Sequence, residues 1–268
     1  MKSVTAGEKL YFLIRDEVIH TIGDRNARWS QAKSFFDALD DDSSFTSYVK
    51  GAVAVRATRQ LTRFWSWKRE SIVNQSQYIR ILMAFLKEEM FLTTEPEVLR
   101  KVATATEEAF LASGRDPSSN LRKTVLGRGP TCKCYLCGKE LNSASADAAD
   151  HPTVEHIWPS SMGGDTIEEN LLPACKGCQN LTKDTLSWEW VNIQNWVLPV
   201  CPSVDALTAV DRRTRYARHF FEAMTRAETE RKTLKEALIS LGPMQSPPTH
   251  IGSGKPVTFF DLQTFRSQ

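Results

Sequence analysis

Hydrophobic side chains recur at helical spacing through residues 7–125, separated by intervals of three and four. The clearest runs cover residues 10–18, 29–39 and 79–90. Glu95, Pro96 and Glu97 are typical of a helix start, where proline and carboxylates are favoured in the first turn. Residues 23–26, 40–44 and 114–117 hold Gly, Asp, Asn, Ser or Pro and predict breaks. The pattern therefore predicts about five helices in an N-terminal helical domain over residues 1–126.

The pattern changes at residue 127. From there to about residue 200 the chain is rich in Cys, Gly, Pro, Asn and Asp, and helical periodicity is lost until residue 176. The run at 152–157 is typical of a strand. A domain over 127–200 with so few apolar residues needs a staple, such as a metal ion. Helical patterning returns at 204–241, and an apolar tail completes the third segment, 201–268. The predicted class is α+β and mostly helical.

Composition and charge narrow the classes of function. The 268 residues carry 34 basic and 32 acidic side chains, so binding to nucleic acid would require a local basic patch. No apolar run approaches the roughly 20 residues that span a bilayer, and the N-terminus lacks the apolar core of a secretory signal. We therefore expect no membrane association and a cytoplasmic location. Thiols stay reduced there, so clustered cysteines predict metal ligands before disulfides.

Two C-x-x-C pairs are the strongest chemical signal. Cys134 and Cys137 form the first pair, and Cys175 and Cys178 form the second. Each pair can present two thiolates from a tight turn, and two pairs make a closed Cys₄ zinc site of the structural kind. Cys132 is an alternative ligand in the first pair. A redox pair or unrelated buried cysteines are the competing interpretations.

An ordered set of residues lies between and just after these pairs. It runs Glu155-His156-Ile157-Trp158-Pro159, then Gly163-Gly164-Asp165, then Asn170-Leu171 before the second C-x-x-C, and ends at Gln179-Asn180 with Lys183 nearby. This order resembles the HNH endonuclease family, in the branch that carries zinc knuckles. The resemblance covers about 50 residues and implies a ββα-metal domain, with a hairpin carrying the acid–histidine pair and a helix starting near Lys176.

The resemblance implies a role for each residue. His156 is expected to be the general base, since a neutral imidazole can take a proton from water near pH 7. Asn170 matches the middle asparagine, which orients the strand backbone or the ring. Glu155 and Asn180 match the ligands of one catalytic Mg²⁺ or Mn²⁺, and the zinc is structural. Lys183 is expected to contact a phosphate or to be solvated.

The sequence departs from the family pattern at its third position. Gln179 directly follows the last zinc cysteine, where the family has His or Asn, so either Gln179 or Asn180 can be the second ligand. Upstream, Asp150 and His151 form another acid–histidine pair, but no hydrophobe-x-Pro follows them. A core histidine is the ordinary alternative for His156, and a turn is the ordinary role for Asp165 after two glycines.

The substrate is expected to be DNA. Arg56, Arg59 and Arg63 share a helix face that can contact phosphates, although a solvated helix face is the simpler interpretation. The helical N-terminal domain is a candidate docking surface for a protein partner, and stand-alone HNH chains with such appendages resemble effectors of bacterial anti-phage defence. The competing function is a zinc-stapled binding module whose nuclease site has decayed. The sequence does not distinguish DNA from RNA as the substrate.

Overall fold

The structure is a computed structural model, which describes residues 1–19, 44–68, 74–88, 94–127, 132–143, 148–182, 186 and 204–244. Lys183 and the apolar tail lie outside the described residues, as do the predicted breaks at 23–26 and 40–43. These described residues are mostly helical with one two-stranded sheet, as the predicted α+β class requires. None of the helices in these ranges is both long and apolar enough to cross a bilayer.

The chain divides into two compact units. The first unit contains residues 1–2, 129–153 and 173–268, and the second contains residues 3–128 and 154–172. The boundary falls inside both strands of the sheet, so residues 154–172 group with the N-terminal helices. The three-segment division at 126 and 200 stays a prediction from the sequence.

Five helices are described within the second unit. Their bounds are α1 Ala6–Leu13, which continues as a π-helical turn over Ile14–Val18, α2 Ser44–Lys68, α3 Gln75–Glu88, α4 Pro96–Ala112 and α5 Ser119–Leu126. As the sequence predicts, α4 begins with Glu95 at the N-cap and Pro96 in its first turn. A capping box between Thr5 and Glu8 starts α1.

The helix α4 lies at the centre of the second unit, in contact with α1, α2 and α3. Leu99, Val102 and Ala103 of α4 are fully buried in this core. The described part of the unit also contains two short 3₁₀ turns, Ser160–Met162 and Glu168–Asn170. The first of them packs against both α2 and α4, which places the turn after His156 directly on the helical core.

The sheet pairs β1, Pro152–His156, with β2, Leu171–Cys175. The strands are antiparallel, because the Ile157 N–H donates to the Asn170 carbonyl and the Thr153 hydroxyl donates to the Ala174 carbonyl. Helix α6, Lys176–Thr182, follows β2 directly. The strand predicted at 152–157 and the helix start predicted near Lys176 are both present.

The first unit also contains α7, Val204–Thr229, and α8, Leu234–Leu241, which pack on each other. Helix α8 ends at its C-cap Gly242, and Pro243 follows, a residue pair that is typical of a helix end. The residues after α8 return to the first cysteine pair, since the Met244 N–H donates to the Leu136 carbonyl at 2.7 Å. The chain segment that follows α8 therefore contacts the turn of the first cysteine pair.

Candidate functional site

Four cysteine side chains meet inside the first unit. The Sγ atoms of Cys134, Cys137, Cys175 and Cys178 all lie within 4.8 Å of one another. Cys134, Cys175 and Cys178 are buried. Cys132, the alternative ligand, is half-buried and does not belong to this group. The structure thus brings together the four cysteines that the sequence spacing indicates.

Tight backbone turns present these thiols. In the first pair the Cys134 N–H donates to the Lys139 carbonyl, and the Gly138 N–H donates back to the Cys134 carbonyl, both at 2.9 Å. Gly138 closes this turn at a φ of 70°, where a side chain would be strained. In the second pair, Cys175 ends β2 and Cys178 lies in α6, with its N–H 3.4 Å from the Cys175 sulfur.

The sulfur geometry fits a tetrahedral metal ion. A centre about 2.3 Å from each of four sulfurs gives sulfur–sulfur edges of about 3.8 Å. The Cys137 and Cys175 sulfurs are 3.8 Å apart. A hydrogen bond between the two thiols lowers the pKa of Cys134 to about 4 and raises the pKa of Cys178. The four thiols can hold a structural ion such as zinc, and a closed Cys₄ set leaves no position for substrate.

The acid–histidine pair lies in the second unit, at the end of β1. Neighbouring residues of a strand point to opposite faces, and Glu155 is 6% exposed whereas His156 is half-buried. The His156 Nε2 lies 3.0 Å from the Thr166 hydroxyl. His156 therefore presents an anchored, partly accessible imidazole, and the Glu155 carboxylate is the more enclosed of the two groups.

Asn170 holds the turn that follows His156. Its Oδ1 accepts the Trp158 N–H at 2.8 Å, and its Nδ2 donates to the carbonyls of Trp158 at 3.0 Å and Asp165 at 2.9 Å. The side chain is 2% exposed, so water cannot replace these bonds. Two roles are expected for Asn170, orienting the backbone or orienting the histidine ring. Its hydrogen bonds match the first role, so Asn170 is a positioning residue that holds the backbone.

Replacing Asn170 by alanine is expected to destabilise the second unit by about 3 kcal/mol, since three hydrogen bonds worth about 1 kcal/mol each are lost around buried groups. Urea denaturation followed by circular dichroism measures this. Gln77→Ala, which truncates an exposed amide on α3, is the matched control and should change stability by less than about 0.5 kcal/mol. Equal denaturation midpoints for the two variants would contradict the positioning role.

The two glycines and Asp165 fit this turn onto the helical core. Gly163 has a φ of 81°, and a Cβ there would press on Ala109 of α4. A Cβ on Gly164 would collide with the Trp158 carbonyl. Asp165 accepts the Ala6 N–H at 2.8 Å, at the positive end of α1. Asp165 thus holds the N-terminus of α1, a role in addition to the turn that the sequence indicates.

The third-position residues lie on α6, in the first unit. Asn180 is exposed and Gln179 is half-buried. Glu155, His156 and Asn170 belong to the second unit, so the assignment of Asn180 as a partner of Glu155 rests on the family resemblance. Lys183, the next residue of that pattern, lies outside the described part of the chain.

The other described histidines have different surroundings. The backbone carbonyl of His151 accepts the Lys176 N–H at the start of α6, which gives His151 a local structural role. His219 on α7 is 9% exposed, and burial lowers its pKa to about 4, so the ring is neutral at neutral pH. His219 therefore belongs to the core of the first unit. His156 is the described histidine that combines partial exposure with a hydroxyl anchor.

The basic residues predicted for nucleic acid lie on α2. This helix of 25 residues carries Lys50, Arg56, Arg59, Arg63 and Lys68 and no acidic residue. Arg56 and Arg63 are exposed and Arg59 is half-buried. On the neighbouring side of the helix, the Thr62 hydroxyl lies 3.3 Å from the Ser161 carbonyl, in the turn after His156. The basic face and His156 are thus parts of one unit.

Sequence reasoning missed the anchors of His156. Thr166 and the Arg115 carbonyl belong to loops that carry no motif, and their contact joins residues 51 positions apart. Comparison with protein-family models, curated proteins and solved structures found no match to the chain. The functional conclusion therefore depends on the site residues and their contacts.

Proposed function

We propose that the chain is a metal-dependent endonuclease of the HNH type that hydrolyses phosphodiester bonds of DNA. The observation that supports this most strongly is the order of structure from Pro152 to Thr182. A strand ends in Glu155 and His156, a turn is held by Asn170, and a second strand leads through a four-cysteine group into a helix. This is the ββα order that the family resemblance implies.

In this proposal His156 takes a proton from the attacking water, and Asn170 keeps the following turn in place. The four cysteines hold a structural zinc that keeps the small segment folded. The Glu155 carboxylate and the Asn180 amide are oxygen donors of the type that Mg²⁺ or Mn²⁺ prefers. Such a cation supplies Lewis acidity at the phosphate and at the leaving oxygen.

The basic face of α2, defined by Arg56, Arg59 and Arg63, is proposed to contact the phosphates of the substrate. Its charges are complementary to a nucleic-acid backbone, and α2 carries no carboxylate that would repel it. The 3₁₀ turn Ser160–Met162, which follows His156, packs against α2, so the basic face belongs to the same packed unit as this turn. The remaining helices of residues 1–126 are proposed to dock a protein partner in a cytoplasmic assembly, such as an anti-phage defence system.

The direct test is cleavage of supercoiled plasmid by purified, zinc-loaded protein, with Mg²⁺ or Mn²⁺ against EDTA. Nicking or linearisation that requires the cation supports the proposal. Absence of cleavage of DNA and of RNA by a folded, zinc-loaded protein would overturn it. Parallel assays on single-stranded DNA and on RNA identify the substrate class.

Substitution of Asn180 by alanine is expected to raise the Mg²⁺ concentration needed for half-maximal cleavage by about tenfold, because a cation loses one of its oxygen ligands. Asn180 is exposed, so folding should change little. Gln179→Ala is the matched control, one residue earlier on α6. If Gln179→Ala shifts the Mg²⁺ titration and Asn180→Ala does not, the ligand at this position is Gln179.

The second candidate function is a zinc-stapled binding module without catalysis. Two observations favour it, the glutamine at position 179 and the burial of Glu155 on the strand face opposite to His156. Such a module would bind nucleic acid in a salt-dependent way but would leave plasmid intact under every cation condition. Binding and cleavage assays on the same protein separate the two functions.

A further inference from the structure

The ring of His156 is connected to a backbone carbonyl through a threonine. The His156 Nε2 lies 3.0 Å from the Thr166 Oγ1, and the same hydroxyl donates to the Arg115 carbonyl oxygen at 2.6 Å. A hydroxyl has one hydrogen, and a carbonyl oxygen can only accept. Since that hydrogen points to Arg115, Thr166 must accept from His156, and the ring proton lies on Nε2.

A neutral imidazole with its proton on Nε2 carries its lone pair on Nδ1. We propose that Thr166 is a positioning residue. Its hydroxyl donates to the Arg115 carbonyl and accepts from His156, and these two hydrogen bonds, here called the Thr166 relay, hold the ring in the tautomer whose proton acceptor is Nδ1. The role of His156 as a base rests on the proposed function. The tautomer itself does not, because it follows from the two hydrogen bonds.

The surrounding contacts hold this relay in place. The Asn170 Nδ2 donates to the carbonyl of Asp165, the residue before Thr166, and the Asp165 carboxylate accepts from Ala6. On the other side, the Gly114 N–H donates to the Ser160 hydroxyl at 2.9 Å, next to Arg115. Thr166 and its acceptor Arg115 are therefore on segments that are each held by hydrogen bonds to neighbouring structure within the second unit.

The test removes the hydroxyl and keeps the shape. Thr166→Val cannot accept from His156, whereas Thr166→Ser keeps the hydroxyl and should restore the wild-type behaviour. Thr153→Val is the matched control, because the Thr153 hydroxyl also donates to a backbone carbonyl, that of Ala174, at the other end of β1. All variants are compared as full-length, zinc-loaded protein.

The first readout is the pair of ring nitrogens of His156 in ¹⁵N NMR spectra, recorded without Mg²⁺ at a pH where the ring is neutral. In the wild type, Thr166→Ser and Thr153→Val, we expect a protonated Nε2, slow exchange of its hydrogen and an unprotonated Nδ1. In Thr166→Val the Nε2 hydrogen should exchange faster and the two nitrogen shifts should move towards each other. A wild-type proton on Nδ1, or an unchanged Thr166→Val spectrum, would overturn the inference.

The second readout is cleavage under single-turnover conditions. Thr166→Val should lose roughly tenfold to a hundredfold in rate, since control of a catalytic histidine's tautomer is worth up to about 10⁴-fold in a hydrolase. If the spectra are as expected but the wild type does not cleave nucleic acid, the proposed function is overturned and the Thr166 relay stands. If Thr166→Val changes neither the cleavage rate nor the spectrum, the Thr166 relay alone is overturned.

Discussion

Replacing Cys178 by serine is expected to release the metal ion and to unfold the segment around the two cysteine pairs. Cys178 is fully buried and its sulfur lies among three others within 4.8 Å. A structural zinc ion contributes about 10 kcal/mol or more to the folding of a small domain, and three remaining thiolates hold it far less well. The expected result is a fall in bound zinc from about one ion per chain to near zero.

The matched control is Cys132→Ser, which changes a half-buried cysteine outside the four-sulfur group. This variant should keep its zinc and its thermal unfolding midpoint. Elemental analysis measures the metal, and hydrogen exchange measures protection of the backbone around Cys134, Tyr135 and Gly138. Retention of zinc by Cys178→Ser together with wild-type protection would contradict a Cys₄ site.

Removing the metal from the wild type should reproduce the effect of Cys178→Ser. Treatment with a strong zinc chelator is expected to abolish protection in the cysteine segment, and added Zn²⁺ should restore it. Helices α1 to α5 belong to the second unit and have their own buried core, so their protection should change much less. Equal loss of protection in both units would show that the metal stabilises the chain as a whole.

The sequence predicts those parts of the fold that depend on local rules. Glu95 and Pro96 mark the start of α4 because capping preferences act within one turn. The cysteine pairs indicate their own partners because a C-x-x-C turn needs no distant contact to form. Asn170 is found by its place in an ordered motif, and its bonds to Trp158 and Asp165 span at most 12 positions.

Contacts between distant segments are beyond such rules. Thr166 reaches Arg115 across 51 positions, and Asp165 reaches Ala6 across 159. Neither threonine nor aspartate in a loop carries a pattern that specifies its partner. The grouping of residues 154–172 with the N-terminal helices has the same cause, since Gly163 packs on Ala109 through the absence of a side chain.

Conversion of His156 to alanine is expected to reduce DNA cleavage by about 10² to 10⁴-fold, the usual contribution of a positioned general base. The ring is half-buried, and its loss removes the hydrogen bond to Thr166, so the cost in stability should be about 1 kcal/mol. Activity should therefore fall far more than stability. Single-turnover plasmid nicking measures the first quantity, and thermal unfolding measures the second.

His151→Ala is the decisive companion variant, because Asp150 and His151 form the competing acid–histidine pair. The main-chain carbonyl of His151 caps the start of α6, and alanine keeps that carbonyl, so the fold of this turn should persist. We expect His151→Ala to cleave at close to the wild-type rate, since its ring is not the proposed base. If His151→Ala is inactive and His156→Ala cleaves normally, the base is His151, and the alignment of the motif on Glu155 and His156 is wrong.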